Sequence, residues 1–401
     1  MTIQPAKKPP VILLLSIQLG GIVGINVFAP SMPDIARSLE TSQSAVQLTI
    51  TVFLIGFVVG QLVYGPVSDR LGRLPTLFGG MSLFIAANVA CALASTIDWL
   101  IVARVFQGFG ACCGSVLMRA MVRDLYGRDE AVKVMSYLAI GAGVTAAIAP
   151  SVGSLLIVFG WQTNFWFLAV AAALPMIFAY LWLPETHPRE NRRAARVSSI
   201  LSDYGTLLTS ASFLGYGVLV GTVNAQFFVF VVGAPFVFIE VMGIPAEQFG
   251  LLMLMSTGGF LVGSLIVVRL TGRITPNQII GIGAVIVFAS MVVLLSLALT
   301  GTQTVASIMI PMFLQGIASG FVFPPAMALG VAAHPKIAGT ASGLLGVFQM
   351  GTSALASFVA SLFVHDDIVP VGAIMLILSS IGVAALWLVR RGERRAAEDG
   401  T

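Results

Sequence analysis

Twelve apolar stretches follow one another along the chain, separated by short polar breaks, at about 11–32, 46–65, 76–95, 99–118, 134–158, 164–183, 211–233, 249–268, 278–299, 304–327, 339–363 and 369–389. A hydrocarbon core needs about 20 apolar residues per helix to cross it, and each stretch has roughly that length. Proline and glycine occur inside many of them. In water they would break a helix, but within a membrane bundle neighbouring helices satisfy the freed backbone groups. The pattern predicts an all-α integral membrane protein with 12 transmembrane helices.

Composition supports lipid as the solvent. Of 401 residues 57% are hydrophobic and only 9% charged, and the mean hydropathy is +0.98. The net charge of +4 says less than its placement. If the N-terminus lies in the cytoplasm, so do Lys7 and Lys8, Arg70 and Arg73, Arg119, Arg123, Arg128 and Lys133. The same holds for Arg189, Arg192, Arg193 and Arg196, for Arg269 and Arg273, for Lys336, and for Arg390, Arg391, Arg394 and Arg395. Arg37 alone then falls outside, and Arg104 alone inside a span. Basic residues gather on the cytoplasmic side of membrane proteins, so both termini are expected there. Lys7 and Lys8 before an apolar run mimic a secretory signal, but the run to Pro30 is too long and lacks a cleavage site. It is read as a retained first helix.

An arginine-rich segment divides the spans into two sets of six: residues 1–185, a cytoplasmic linker 186–205, and residues 206–401 with a cytoplasmic tail. The halves repeat weakly. Gly56-Phe57-Val58-Val59-Gly60 answers Gly259-Phe260-Leu261-Val262-Gly263, and Gln107-Gly108 answers Gln315-Gly316, each about half the chain apart. Both glycine pairs precede a basic turn, Asp69-Arg70-Leu71-Gly72-Arg73 and Arg269-Leu270-Thr271-Gly272-Arg273. Two parallel six-span repeats with a midplane site at their interface are a transporter architecture.

Three motifs carry the functional reading. In Gly65-x-x-x-Asp69-Arg70-x-Gly72-Arg73, Gly65 is expected to allow close helix approach and Gly72 a tight turn. Asp69 can meet a helix N-terminus or an arginine. This turn resembles the signature loop of the major facilitator superfamily. The second motif is Arg104-x-x-Gln107-Gly108-x-Gly110-Ala111, with an arginine that must face the bundle interior; the superfamily carries an arginine and Gln-Gly here. The third, with Gly141, Gly143, Pro150 and Gly153, resembles the fifth-span motif of superfamily exporters without its closing glycine pair, and is expected to pack helices closely around a bend.

More narrowly, Pro30-Ser31-Met32-Pro33-Asp34-Ile35-Ala36, Val46-Gln47-Leu48-Thr49, the run from Gln61 to Arg70, Val122-Arg123-Asp124-Leu125-Tyr126, Gly160-Trp161 and Leu183-Pro184-Glu185-Thr186 resemble the bicyclomycin and chloramphenicol resistance (Bcr/CflA) branch of drug/proton antiporters. The resemblance covers residues 20 to 190 and thins afterwards. It implies a monomeric carrier in the bacterial inner membrane that exports small amphipathic compounds by alternating access, with protons as the counter-ion. The chain departs from that branch at Asn26, where the first span normally carries an aspartate. Gln18, two turns earlier on the same face, is also uncharged. No span holds a mid-membrane carboxylate, and amides cannot take up and release a proton. Three routes stay open: Asp34 pairing with Arg104, which lies about 7 Å inside the outer end of its span; Asp124 titrating from the cytoplasmic side; or transport without protons. Gln18, Asn26, Asn224 and Gln226 are the candidate cavity residues, Asn26 and Gln226 because spans 1 and 7 line the cavity in the superfamily.

Other classes fare worse. An enzyme would need an acid/base pair, nucleophile or metal cluster facing a cavity, and the spans hold none; His187, His334 and His365 all fall in loops. There is no nucleotide-binding P-loop to drive a pump. Cys91, Cys112 and Cys113 have no ligand spacing and read as small packing residues. No cofactor, metal or nucleic-acid partner is expected. The remaining alternatives are an uncoupled or single-metabolite carrier and, further off, a membrane receptor.

Overall fold

The computed structural model describes residues 9–126, 128–186, 197–364 and 367–399. Lys7, Lys8, His187, Arg189, Arg192, Arg193, Arg196, His365 and Asp366 lie outside the described residues. Every regular element among the described residues is helical: α1 (Val11–Asn26), α2 (Met32–Ser38), α3 (Gln43–Leu71), α4 (Arg73–Ala92), α5 (Ile97–Leu125), α6 (Arg128–Leu156), α7 (Gln162–Trp182), α8 (Val197–Thr209), α9 (Ala211–Pro235), α10 (Ala246–Leu270), α11 (Pro276–Leu299), α12 (Val305–Ala332), α13 (Ala338–Phe363) and α14 (Ile368–Asp399). Among the described residues twelve helices are long and apolar enough to cross a membrane, as the hydropathy pattern predicts. Several run past their apolar stretch. α5 continues to Leu125, so Arg119 stands on the helix, donating from Nε to Ser115 O at 2.9 Å, and Arg104 is not the only arginine within a span.

The chain forms two compact units, one of Met1–Thr41 with Val52–Ala195, the other of Ser42–Thr51 with Arg196–Thr401. The second unit thus takes in the first turns of α3. It also includes α8, which crosses the boundary expected at 205–206: Leu207 packs with Phe213, Ala341, Leu344 and Leu345.

Within each unit the repeat read from the sequence has one physical meaning. In the first, α1 packs on α5, α6 and α7; in the second, α9 packs on α12, α13 and α14. Gly56 of α3 lies against the backbone of Val105 and Phe109, while Gly108 of α5 lies against the Phe53 carbonyl. Their counterparts repeat this: Gly259 meets Phe313 O and Gly316 meets Ser256 O. Lipid tails are as apolar as leucine, so burial alone gives helices little reason to associate; close backbone packing through small residues supplies it. Gly153 likewise seats α6 on the Val27 carbonyl, and Gly141 faces Leu15. Gly72 has φ +106°, the tight turn between α3 and α4 expected of it. Gly65 behaves otherwise than expected: a Cβ there would meet open space, so it brings no helices together. The three cysteines are buried and unpaired with one another.

Adding one methyl tests the crossing. Gly108→Ala would drive a Cβ into the Phe53 backbone and should destabilise the protein by about 1–3 kcal/mol. Gly79→Ala, at a position open to its surroundings, should be neutral or stabilising by up to about 1 kcal/mol. Thermal unfolding in detergent distinguishes the two.

Candidate functional site

Three polar assemblies stand out among the apolar helices. The first is built around Arg104, which is completely buried. Its Nη1 donates to Gln107 Oε1 at 2.6 Å and to Gly24 O at 3.3 Å. Gln107 Nε2 passes the chain on to Asn88 Oδ1 at 2.6 Å, and Asn88 Nδ2 donates to Phe84 O at 2.8 Å. The guanidinium also lies between two rings, 4.3 Å from the centre of Phe28 and 4.6 Å from that of Phe53. A desolvated cation over an aromatic face gains about 2 kcal/mol or more. Dipoles and ring quadrupoles therefore hold the positive charge on the first unit's core. The sequence pointed to Arg104 and Gln107 but not to the two phenylalanines, whose apolar spacing gave no sign of a cation.

Around this assembly the proposed partners sort differently from expectation. Asp34 does not reach Arg104. It pairs with Arg37, one turn along α2, where both side chains meet solvent. Asn26 is buried beyond Gly24, at the end of α1. Gln18 donates from Nε2 to Leu138 O at 3.4 Å, tying α1 to α6.

The second assembly closes the turn between α3 and α4. The positive φ of Gly72 sets Arg73 at the first position of α4, with its side chain turned inward and only 8% of the residue exposed. Arg73 Nη1 donates to Asp69 Oδ1 at 2.6 Å and Ser68 Oγ at 2.5 Å, and Nε to Asp124 Oδ2 at 3.1 Å. Asp69 thus finds an arginine rather than a helix end. The helix end goes to Glu185: its two oxygens accept from the N–H groups of Arg73, at 3.0 Å, and Leu74, at 3.2 Å. A carboxylate here satisfies two orphan donors and opposes the helix dipole. Thr186 adds a bond to Asp124 at 3.1 Å. Glu185 and Thr186 stood in the sequence only as part of a family pattern; no local spacing reveals a cap more than a hundred residues away. Arg70 points to solvent.

The third assembly lies in the second unit. Asn224 Nδ2 donates to Ser353 Oγ at 2.8 Å, Gln349 Nε2 to Asn224 Oδ1 at 3.2 Å, and Ser353 Oγ back to Gln349 O at 2.7 Å. These groups form a half-buried seam between α9 and α13. Gln226 is separate from it. It continues the stripe of Leu219, Thr222 and Val223 that packs on α12 and α14, is completely buried, and neither its Nε2 nor its Oε1 has a hydrogen-bond partner. No three potential metal ligands come together among the described residues.

Comparison with known proteins agrees with this architecture. A profile of the Major Facilitator Superfamily matches residues 14–357. An uncharacterized MFS-type transporter, YdgK of Bacillus subtilis, is 34% identical over 94% of both chains. A bicyclomycin resistance protein homolog of Haemophilus influenzae is 28% identical over 84% of this chain and 85% of its own, which bears out the branch resemblance. Among solved structures, a D-xylose-proton symporter superposes with a TM-score of 0.74 at 17% identity, covering 94% of this chain and 96% of the other, a likeness of fold alone. With the family profile spanning most of its length and these relatives nearly all of it, the chain belongs to the Major Facilitator Superfamily, a family of membrane transporters.

Proposed function

We propose that the protein is a secondary exporter of small, neutral or weakly polar amphipathic compounds, working by alternating access as a monomer in a bacterial inner membrane with both termini cytoplasmic. The observation that carries the substrate class is the chemistry of the second unit: Asn224, Gln349, Ser353 and the unpartnered Gln226 offer amides and hydroxyls, not charges. Phenylalanine and methionine around such groups suit an adaptable pocket. The bicyclomycin resistance for which the Haemophilus relative is named supports antibiotic-like substrates. The arginine distribution supports the orientation. The Arg73 cluster, with Gly65, Asp69, Arg70 and Gly72 in the same turn, acts in this reading as a conformational latch, and Gln107, Gly108, Gly141, Pro150 and Gly153 serve packing.

Proton antiport is the second reading, and Asn26 weighs against the branch's usual form of it, since an amide cannot carry the proton. Asp34 is held by Arg37 at the surface, and Asp124 by Arg73 and Thr186. Asp124 is then the carboxylate through which coupling would run.

Purified protein in liposomes decides between the readings when chloramphenicol- and bicyclomycin-like compounds are added with a pH-sensitive dye inside. Proton movement that needs both substrate and protein would establish antiport as the drive for export; substrate flux without proton flux would establish an uncoupled carrier that only equilibrates its substrate. Asn26→Asp should then create a substrate-dependent proton flux, and unchanged flux and pH dependence would remove this position from the coupling site. Gln226→Leu should raise stability by about 1–3 kcal/mol, because two unpaired buried polar atoms disappear. The same change should weaken substrate binding about tenfold, a loss of one good hydrogen bond. Calorimetric binding measured beside thermal unfolding separates these opposite signs.

A further inference from the structure

Two backbone carbonyls of the second unit lie where their helices change pitch or end. At Val232 the usual donor is diverted: the Phe236 N–H bonds to Gly233 O, three residues back instead of four, just where α9 passes into the π-turn Phe236–Val241. Val364 is the C-cap of α13. A single side chain takes both. Gln47 Nε2 donates to Val232 O at 3.3 Å and to Val364 O at 3.0 Å, and Gln47 is completely buried. One turn along α3, Thr51 Oγ1 donates to Ser357 Oγ at 3.0 Å.

An amide nitrogen has two N–H groups, so it can serve two acceptors at once. No apolar residue of the same size does this. Gln47 Oε1, in contrast, has no hydrogen-bond partner. The brace is therefore satisfied on one side only. While the site is dry, Gln47 serves both carbonyls and stays. Once water enters, Oε1 and both carbonyls all find partners, and the reason to stay closed is gone. Such a contact holds in one state and releases in another without a charged group. Its position matters because α3 is divided between the units: residues 42–51 belong with the second and Val52 onward with the first.

We infer that Gln47 is a positioning residue of the transport cycle: it fastens the first turns of α3 to the ends of α9 and α13, and its release on wetting is a step of the cycle. The inference rests on the alternating-access reading above. Gln47 touches no substrate in this role; it acts through the helix it holds.

The test uses the full-length protein in lipid nanodiscs. Val364→Cys puts a thiol beside the braced carbonyl, at a position completely buried here, and the native cysteines are buried as well. A water-soluble maleimide then reports opening, with the unsubstituted protein as background. Adding Gln47→Leu should speed labelling about tenfold, and adding Thr51→Val about two- to threefold, the shifts expected from losing two hydrogen bonds and one. Unchanged labelling in a Gln47→Leu protein that melts like its parent overturns the inference. If Gln47→Leu does not fold, Thr51→Val decides: no acceleration there overturns it. Faster labelling in a protein that exports none of the compounds tried supports the brace and counts against the efflux reading, so the two failures are distinguishable.

Discussion

Inside a bilayer the backbone has no solvent to fall back on, and each N–H or C=O that leaves a helical ladder must find another partner within the protein. This constraint makes the chain helical throughout its spans and decides where side-chain amides are placed. At the break between α1 and α2, Ser31 N–H turns back to Phe28 O and leaves the Val27 carbonyl free. Asn164 of α7 supplies the missing donor at 3.2 Å, and donates to Ser31 Oγ at 2.5 Å as well. At the break after α9, Gln47 does the same for Val232. Both breaks stand beside prolines, Pro30 and Pro235. A neighbour's amide converts each interruption from a defect into a fixed bend.

The same constraint separates what could be read from the sequence from what could not. Hydropathy reports how much of a stretch avoids water, so all twelve spans and their order were legible. The glycine pairs were legible too, because the repeat places Gly56 and Gly259 in equivalent crossings and the absence of a side chain is itself the signal. Partners were not legible. Gln47, Gln107 and Gln226 look alike in the sequence, yet the first bridges two carbonyls, the second relays a buried charge and the third has no hydrogen bond. Which of these an amide does depends on groups as near as 3 and as far as 317 residues away, and the amide itself does not say which. Asp34 failed for a local reason: Arg37, three residues on, was the nearer cation all along, and a pair on one exposed helix turn forms before a longer reach to a buried arginine.

The Arg73 cluster shows how long-range capping organises one end of the first unit. An unpaired cation so little exposed would be costly, and Asp69 alone would leave Nε unsatisfied. Asp124 and Ser68 complete the guanidinium, while Glu185 takes the backbone donors that the guanidinium cannot serve. Three helices and the segment after α7 therefore meet at one residue. Because the bonds are charge-assisted and partly exposed, they are strong singly and sensitive to salt together. A junction of this kind can hold one arrangement firmly and still let go when any member changes state.

The two repeats finally differ in their buried charge. Arg104 stands three residues before Gln107; Met312 stands three before Gln315 and is equally buried. With no cation beside it, Gln315 turns to Ser319 on its own helix, at 3.0 Å, instead of relaying a charge. Packing has been kept in both repeats, through Gly108 and Gly316, while the charge remains in one. The first unit thus carries a fixed positive centre among aromatic rings, and the second carries neutral amides. A substrate that needed a counter-charge would find Arg104 enclosed between Phe28 and Phe53, already engaged with Gln107 and Gly24. The arginine is thus a buried charge already held within its own unit, and a substrate recognised as proposed above, by the uncharged groups of the second unit, would be held by shape and a few hydrogen bonds rather than by ion pairing.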